Sequence, residues 1–169
     1  MSQSTAEHRR QSPPSVRAAV VTVSDTRKHG SDTGGDLIAR LLAEAGHTVA
    51  ARHIVPDEPK AIRTLMERLV DAGDVDAVLV TGGTGIARRD QTVDTVAALL
   101  TRTLPGYGEL FRMLSYDQIG PAAMLSRAVG GVVGKVVVLT MPGSPAAVEL
   151  AMTRLIVPEL AHLVYEARR

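Results

Sequence analysis

Three short runs constrain this chain most: "RAAVVTVS" (Arg17 to Ser24), "DAVLVT" (Asp76 to Thr81) and "KVVVLT" (Lys135 to Thr140). Each is too short to be a stable helix alone. Each is apolar at consecutive rather than alternate positions and rich in β-branched residues, the pattern of a strand buried on both faces. "HTVAARHIV" reads as a fourth strand. Helical patterns lie between them. Leu37, Ile38, Leu41, Leu42 and Ala45 form one stripe, closed by Gly46 as a C-terminal cap. Ile62, Leu65, Met66, Leu69 and Val70 form a second. A short helix is expected from Thr92 to Leu100 and another over "YGELFRMLS". A last helix follows "MPGSP", with Ser144 as cap, Pro145 at its first position and a kink at Pro158. "MLSRAVGGVVG" is glycine-punctuated and reads as a turn or short hairpin. Buried strands alternating with helices predict a parallel-type α/β sheet covered on both faces.

Length and charge narrow the class. The 169 residues suit a single domain, here 16–169, and residues 1–15 are polar, without period, and expected to be a disordered tail. Nineteen basic against eighteen acidic side chains give no electrostatic footprint for nucleic acid or a membrane surface. No apolar run approaches the ~20 residues of a spanning helix, and the polar start has no secretory signal pattern. Zero cysteines exclude a disulfide framework and thiolate chemistry. A cytoplasmic protein is expected.

In parallel sheets, ligands sit outside the carboxyl ends of the strands. The loops leaving those ends begin at Ser24, Pro56, Thr81 and Met141, and the unusual segments fall in them. "TGGTGIARRD" (Thr81 to Asp90) is a glycine-rich strand-to-helix turn. Its backbone N–H groups suit an anion-binding nest, although a tight connection without ligand accounts for the same glycines. The Gly-Lys-Ser/Thr of a nucleotide P-loop is absent. Arg88 and Arg89 are either phosphate forks or a solvated pair. Asp90 and Asp57 (in "VPDEP") are either helix caps or a pair of carboxylates for Mg²⁺-assisted phosphoryl or nucleotidyl transfer. Tyr107, Phe111 and Tyr116 are three of the four aromatics in the chain. They point to a flat ligand, a subunit contact or, for Phe111, local core. Ser126-Arg127 and "MPGSP" offer the pieces of a second anion pocket. The five histidines show no metal-ligand spacing and read as surface or loop residues.

Together these segments resemble the MogA/MoaB-type molybdenum cofactor biosynthesis proteins, a group similar to the gephyrin G domain and its plant counterpart. The likeness rests on T-G-G-T-G-x4-D over Thr81 to Asp90. It extends through "TVSDTR", "VPDE", "GYGELFRMLS", "IGPAAMLSRAVGG" and "MPGS", from about Arg17 to His162, and is closest to the MoaB branch. It implies a three-layer α/β/α sandwich around a mostly parallel sheet, assembled as a homotrimer or homohexamer. It also implies binding of molybdopterin and transfer of AMP from Mg-ATP to its terminal phosphate, with release of pyrophosphate. Asp57 and Asp90 then match the family's essential aspartates and orient Mg²⁺ and the triphosphate. Thr81, Gly82, Gly83, Thr84, Gly85 and Arg89 match its phosphate-binding turn. Ser24 and Asp25 border the nucleotide or pterin pocket, and Glu109 falls in the matching "GYGELFRMLS" segment. Ser126, Arg127 and the turn Pro142, Gly143, Ser144 take the substrate's anionic end.

Two departures matter. Where the family continues the aspartate with T-P-[DE]-A, this chain has Thr92-Val93-Asp94-Thr95. The missing proline removes preorganisation worth a few tenths to about 1 kcal/mol of local stability. Met141 replaces a more usual leucine before P-G-S. The rival implication is a non-catalytic molybdopterin binder or carrier of the same family.

Overall fold

The computed structural model describes residues 11–169. Of the expected tail, residues 1–10 lie outside this range. Within it, Ser15 Oγ donates to the Gly46 carbonyl (2.9 Å) and Gln11 accepts from the Tyr165 hydroxyl. The chain runs β1 (Arg17–Val23), α1 (Thr33–Glu44), β2 (Thr48–Val55), α2 (Pro59–Ala72), β3 (Ala77–Thr81) and α3 (Thr92–Ala97). It continues as β4 (Arg102–Thr103), α4 (Pro105–Ile119), β5 (Gly130–Val133), β6 (Val136–Met141), α5 (Pro145–Ala151) and α6 (Val157–Arg168).

The six strands form one sheet in the order β2-β1-β3-β6-β5-β4. The first four are parallel; at the other edge β5 pairs antiparallel with β6 and β4 antiparallel with β5. The expected hairpin is therefore β5–β6. The continuous apolar runs are explained by burial on both sides. Val16, Ala18, Val20, Leu79, Leu139 and Met141 point to one face, under α1, α4, α5 and α6. Ala19, Val21, Val23, Val78, Val80 and Val138 point to the other, under α2 and α3. The architecture is the expected three-layer α/β/α sandwich.

Several local expectations need correction. The first helix begins at Thr33, ahead of the Leu37 stripe, because the Asp32 carboxylate accepts from the Gly35 N–H and caps it. The third helix stops at Ala97. The last helix is interrupted by a π-helical turn over Met152–Ile156, just before Pro158, whose ring nitrogen has no proton for the ladder. Phe111 is a core residue, as expected of it, but so is Tyr107, whose hydroxyl donates to the Thr140 carbonyl (2.9 Å), so Tyr107 does not face a flat ligand. Burial raises the Tyr107 pKa well above that of a free phenol. His53 lies within β2 and His162 on α6, both half-buried, not on loops.

Candidate functional site

The sheet register places the strand ends in one row. Val23 pairs with Val55, Thr22 with Thr81, and Thr81 with Met141. After β1 the chain crosses toward β2, whereas after β3 it leaves toward the opposite edge, so their loops diverge and open a crevice, the usual place for a ligand in such sheets. A cleft of about 490 Å³ opens there, lined by Ser24, Arg27, Asp32, Gly34, Thr81, Gly82, Gly83, Gly143 and Ser144 among others. A larger depression of about 540 Å³ beside β2 and α2 contains none of the expected site residues.

The glycines of the turn after β3 are required by close approach. Gly82 has φ +102° and Gly83 φ +61°, both in the region that disfavours a side chain. A Cβ on Gly82 would lie 2.2 Å from the Val23 carbonyl oxygen. One on Gly83 would lie 2.1 Å from Thr92 Oγ1 and 2.4 Å from Asp57 Oδ2. One on Gly85 would lie 2.6 Å from Asp90 Oδ2. The turn thus folds directly against both carboxylates. The Gly82 N–H is not available to a phosphate, because it donates to the Met141 carbonyl (3.0 Å). Thr81 likewise stitches the site, its buried hydroxyl donating to the Pro142 carbonyl (3.1 Å).

Neither aspartate is a helix cap. The position before α2 is Glu58, and the one before α3 is Gln91 with no capping side chain. Asp90 instead accepts from the Ala87 N–H (2.9 Å) inside its own turn. Asp57 is buried and reaches across from the β2 loop. Its Oδ1 accepts from the Gln91 N–H (3.1 Å) and the Thr92 hydroxyl (3.2 Å). Asp57 therefore fixes the start of α3, the place where the family proline is missing. Val93 is buried there without needing proline's fixed geometry.

Burial pushes the Asp57 carboxyl above the usual carboxylate range, against the pull of its two hydrogen bonds, and the charges of Asp90 and Asp25 push it further. Asp25 moves the opposite way. The Arg89 fork holds it at 2.6 and 2.7 Å and lowers its pKa against a small desolvation cost, aided by the Asp57 N–H (3.2 Å). Ser24 accepts the N–H groups of Thr26 and Arg27. Ser144 caps α5 by accepting from the Ala147 N–H (3.3 Å), as expected.

Among the described residues neither Asp57 nor Asp90 forms an ion pair, and no group of three acid or imidazole side chains could hold a metal alone. Two under-compensated carboxylates suit Mg²⁺, which keeps several waters and takes its remaining ligands from substrate phosphates.

The expected residues do not all meet. Ser126, Arg127 and Glu109 stand apart from this cleft. Glu109 and Arg127 line a separate recess of about 270 Å³ with Val93, Leu104, Gly108 and Arg112, and the Ser126 carbonyl accepts from Arg112 (3.4 Å). Arg127 is engaged chiefly with the protein itself. Its nitrogens are spent on the Gly85 carbonyl (2.8 Å), the Asp90 carbonyl (2.7 Å) and the Asp94 carboxylate (2.8 and 3.0 Å). Sequence reasoning missed Arg27, Asp32 and Gly34 in the main cleft. The available signal was Asp32 before an apolar helical stripe, a cap pattern obscured by two glycines in the first turn.

The fold is that of a doubly wound α/β domain with a glycine turn and two carboxylates at the carboxyl ends of its parallel strands. Residues 19–162 match the family model described as a probable molybdopterin binding domain. The chain belongs to this molybdenum cofactor biosynthesis family. It is 50% identical over 167 residues to the molybdenum cofactor biosynthesis protein B of Bacillus anthracis, covering 98% of this chain and 99% of the relative. A crystal structure of a molybdenum cofactor biosynthesis protein B superposes with a TM-score of 0.90 at 50% identity, over 93% of this chain and 99% of that one. The tungsten cofactor synthesizing protein MoaB of Pyrococcus furiosus superposes with a TM-score of 0.83 at 34% identity, over 93% and 99% of the two chains.

Proposed function

We propose that this protein is a cytoplasmic molybdopterin adenylyltransferase. It binds molybdopterin and Mg-ATP and joins the pterin's terminal phosphate to AMP. The observation that carries the reading is Asp57: a buried carboxylate aimed at the glycine turn, with no cationic side chain paired to it among the described residues. A carboxylate kept there against its desolvation cost supports a functional role beyond its tie to the start of α3.

In this reading the N–H groups of Gly83, Thr84 and Gly85 hold phosphate oxygens, and Ser24, Gly143 and Ser144 border the bound ligand. Bound Mg²⁺ would supply charge neutralisation on the triphosphate, held by Asp57 and Asp90. The attacking oxygen belongs to a phosphate already ionised at neutral pH, so no side chain need act as a strong base. A P–O bond forms at the α-phosphorus as the bond to pyrophosphate breaks, and the chain's contribution is positioning. Arg89 is released from Asp25 when a phosphate competes for its fork.

Homotrimers or homohexamers are part of the same proposal. They are supported by the exposed apolar side chains Leu110, Met113, Tyr116 and Ile119 on α4, continued by Met124 and Leu125. Among the described residues no helix is long and apolar enough to cross a membrane.

A single-turnover assay tests the chemistry: molybdopterin-loaded protein is mixed with Mg-ATP, and adenylylated molybdopterin is read by chromatography. Product from wild type, absent in Asp57→Ala and Asp90→Ala while pterin binding survives, is the expected result. Bound molybdopterin without product in wild type refutes catalysis and leaves a carrier.

A further inference from the structure

We infer that Arg127 is a positioning residue. Its guanidinium straps the glycine turn into the shape that sets Asp90 beside Asp57, and Asp94 orients the strap. The inference rests on the adenylyl-transfer reading of the site and assigns Arg127 a role away from the substrate.

The geometry separates strap from ligand-binding group. Arg127 Nε donates to the Gly85 carbonyl and Nη2 to the Asp90 carbonyl, the two ends of the exposed stretch between them. Its backbone N–H donates to the Thr84 carbonyl (3.0 Å), closing the same turn a third time. Nη1 faces both Asp94 oxygens on the first turn of α3. All three nitrogens are therefore engaged. A phosphate that took over these donors would displace Asp94 or leave two backbone carbonyls without theirs, each an unfavourable exchange, and only one Nη2 N–H has no bond to these groups.

The need for a strap follows from the turn itself. Two residues at positive φ and a run of small side chains give it many accessible shapes, and fixing one has an entropic cost. Arg127 holds three points of that turn at once. Lysine cannot replace it, because a single ammonium has no planar fork to span carbonyls at 85 and 90 together with a carboxylate. Asp94 thereby acquires a reason to be acidic: it faces the strap, not the ligand.

The test uses the full-length chain as wild type, Arg127→Ala, Arg127→Lys, Asp94→Ala and the Arg127→Ala/Asp94→Ala double variant. Three quantities are read: molybdopterin affinity, single-turnover rate across a Mg²⁺ titration, and amide hydrogen exchange over residues 84–91 without substrate. A strap predicts unchanged molybdopterin affinity and a rate lower by roughly 10²-fold in both Arg127 variants, the scale expected for about 1 Å of misplacement. The Mg²⁺ concentration for half-maximal rate rises, and exchange in 84–91 accelerates. Methylguanidinium partly restores the Arg127→Ala rate, and Asp94→Ala adds nothing in the Arg127→Ala background.

Weakened molybdopterin binding with unchanged exchange and unchanged Mg²⁺ dependence overturns the inference and returns Arg127 to the substrate. If wild type forms no product, adenylyl transfer falls, and the exchange data still decide the strap: unchanged protection in Arg127→Lys refutes it. Should Arg127→Ala fail to fold, Arg127→Lys and Asp94→Ala carry the same comparison.

Discussion

Replacing Gly83 with alanine tests whether the glycine turn is shaped by the carboxylates beneath it. Two costs add. At φ +61° an L side chain costs about 1–2 kcal/mol. The new Cβ would also sit 2.1 Å from Thr92 Oγ1 and 2.4 Å from Asp57 Oδ2, so buried groups must move, an overpacking cost of about 1–3 kcal/mol. The sum is about 2–5 kcal/mol, or roughly 5–15 °C in melting temperature for a chain of this size. Gly46→Ala is the control. Its φ is +80°, but no atom lies within 4 Å of the added Cβ, so only the backbone cost of about 1–2 kcal/mol applies. Urea unfolding at fixed protein concentration reads both, fixed because any assembly makes stability concentration-dependent. Equal losses for Gly83→Ala and Gly46→Ala would refute the argument that Asp57 and Thr92 occupy the space against Gly83. A Gly83→Ala protein that kept wild-type adenylylation would refute the idea that the turn and Asp57 act as one unit.

Two further outcomes follow from the charges. Asp57 has its folded pKa raised, so its ionisation opposes folding: the associated stability is full below its unfolded pKa of about 4 and is lost as pH rises through the raised folded value. Asp57→Asn keeps an oxygen to accept from Gln91 and Thr92, so it should melt higher than wild type by a margin that grows from pH 4 to pH 7 while activity disappears; a margin that shrinks over that range contradicts the burial argument. For Asp25 the sign reverses, since Arg89 holds its pKa down. Arg89→Ala should move the Asp25 titration back up toward ordinary carboxylate values in a carboxyl-resolved NMR titration, and an unmoved midpoint rules out the ion pair as the cause.

The architecture was legible because burial on both faces leaves a run such as Val78-Leu79-Val80 no polar alternation to hide. The site was legible as a set of loops, since the four parallel strands end in register and carry Ser24, Asp57, Gly83 and Ser144 from separate segments to one edge. What the sequence withheld was the use of each polar group. Arg127 looks like an anion ligand until its partners are known, and nothing local announces that they are carbonyls 37 and 42 positions away. Asp57 looks like a cap for α2, but its partners lie on α3, 34 and 35 positions on. Aromatic clustering misled for a related reason: Tyr107 and Phe111 face inward and Tyr116 outward on the same helix, which composition does not distinguish.

These long-range uses show how four loops at the end of the sheet are joined to one another. Each loop is tied to a neighbour by a polar contact made at a fixed backbone group. Gly82 binds the end of β6, Asp57 the start of α3, Arg127 the glycine turn, and Asp25 the backbone of Asp57. Charge is settled unevenly among them. Asp25 and Asp94 each have an arginine, whereas among the described residues Asp57 and Asp90 have hydrogen-bond donors without an ion pair. Structural economy would reverse that assignment, giving the buried carboxylate the cation and leaving the exposed one to water. The arrangement fits the proposed function, in which a divalent cation accompanies the substrate's phosphates. On the proposed adenylyl-transfer reading, a cation held by Asp57 and Asp90 would offset the mutual repulsion among Asp57, Asp90 and Asp25.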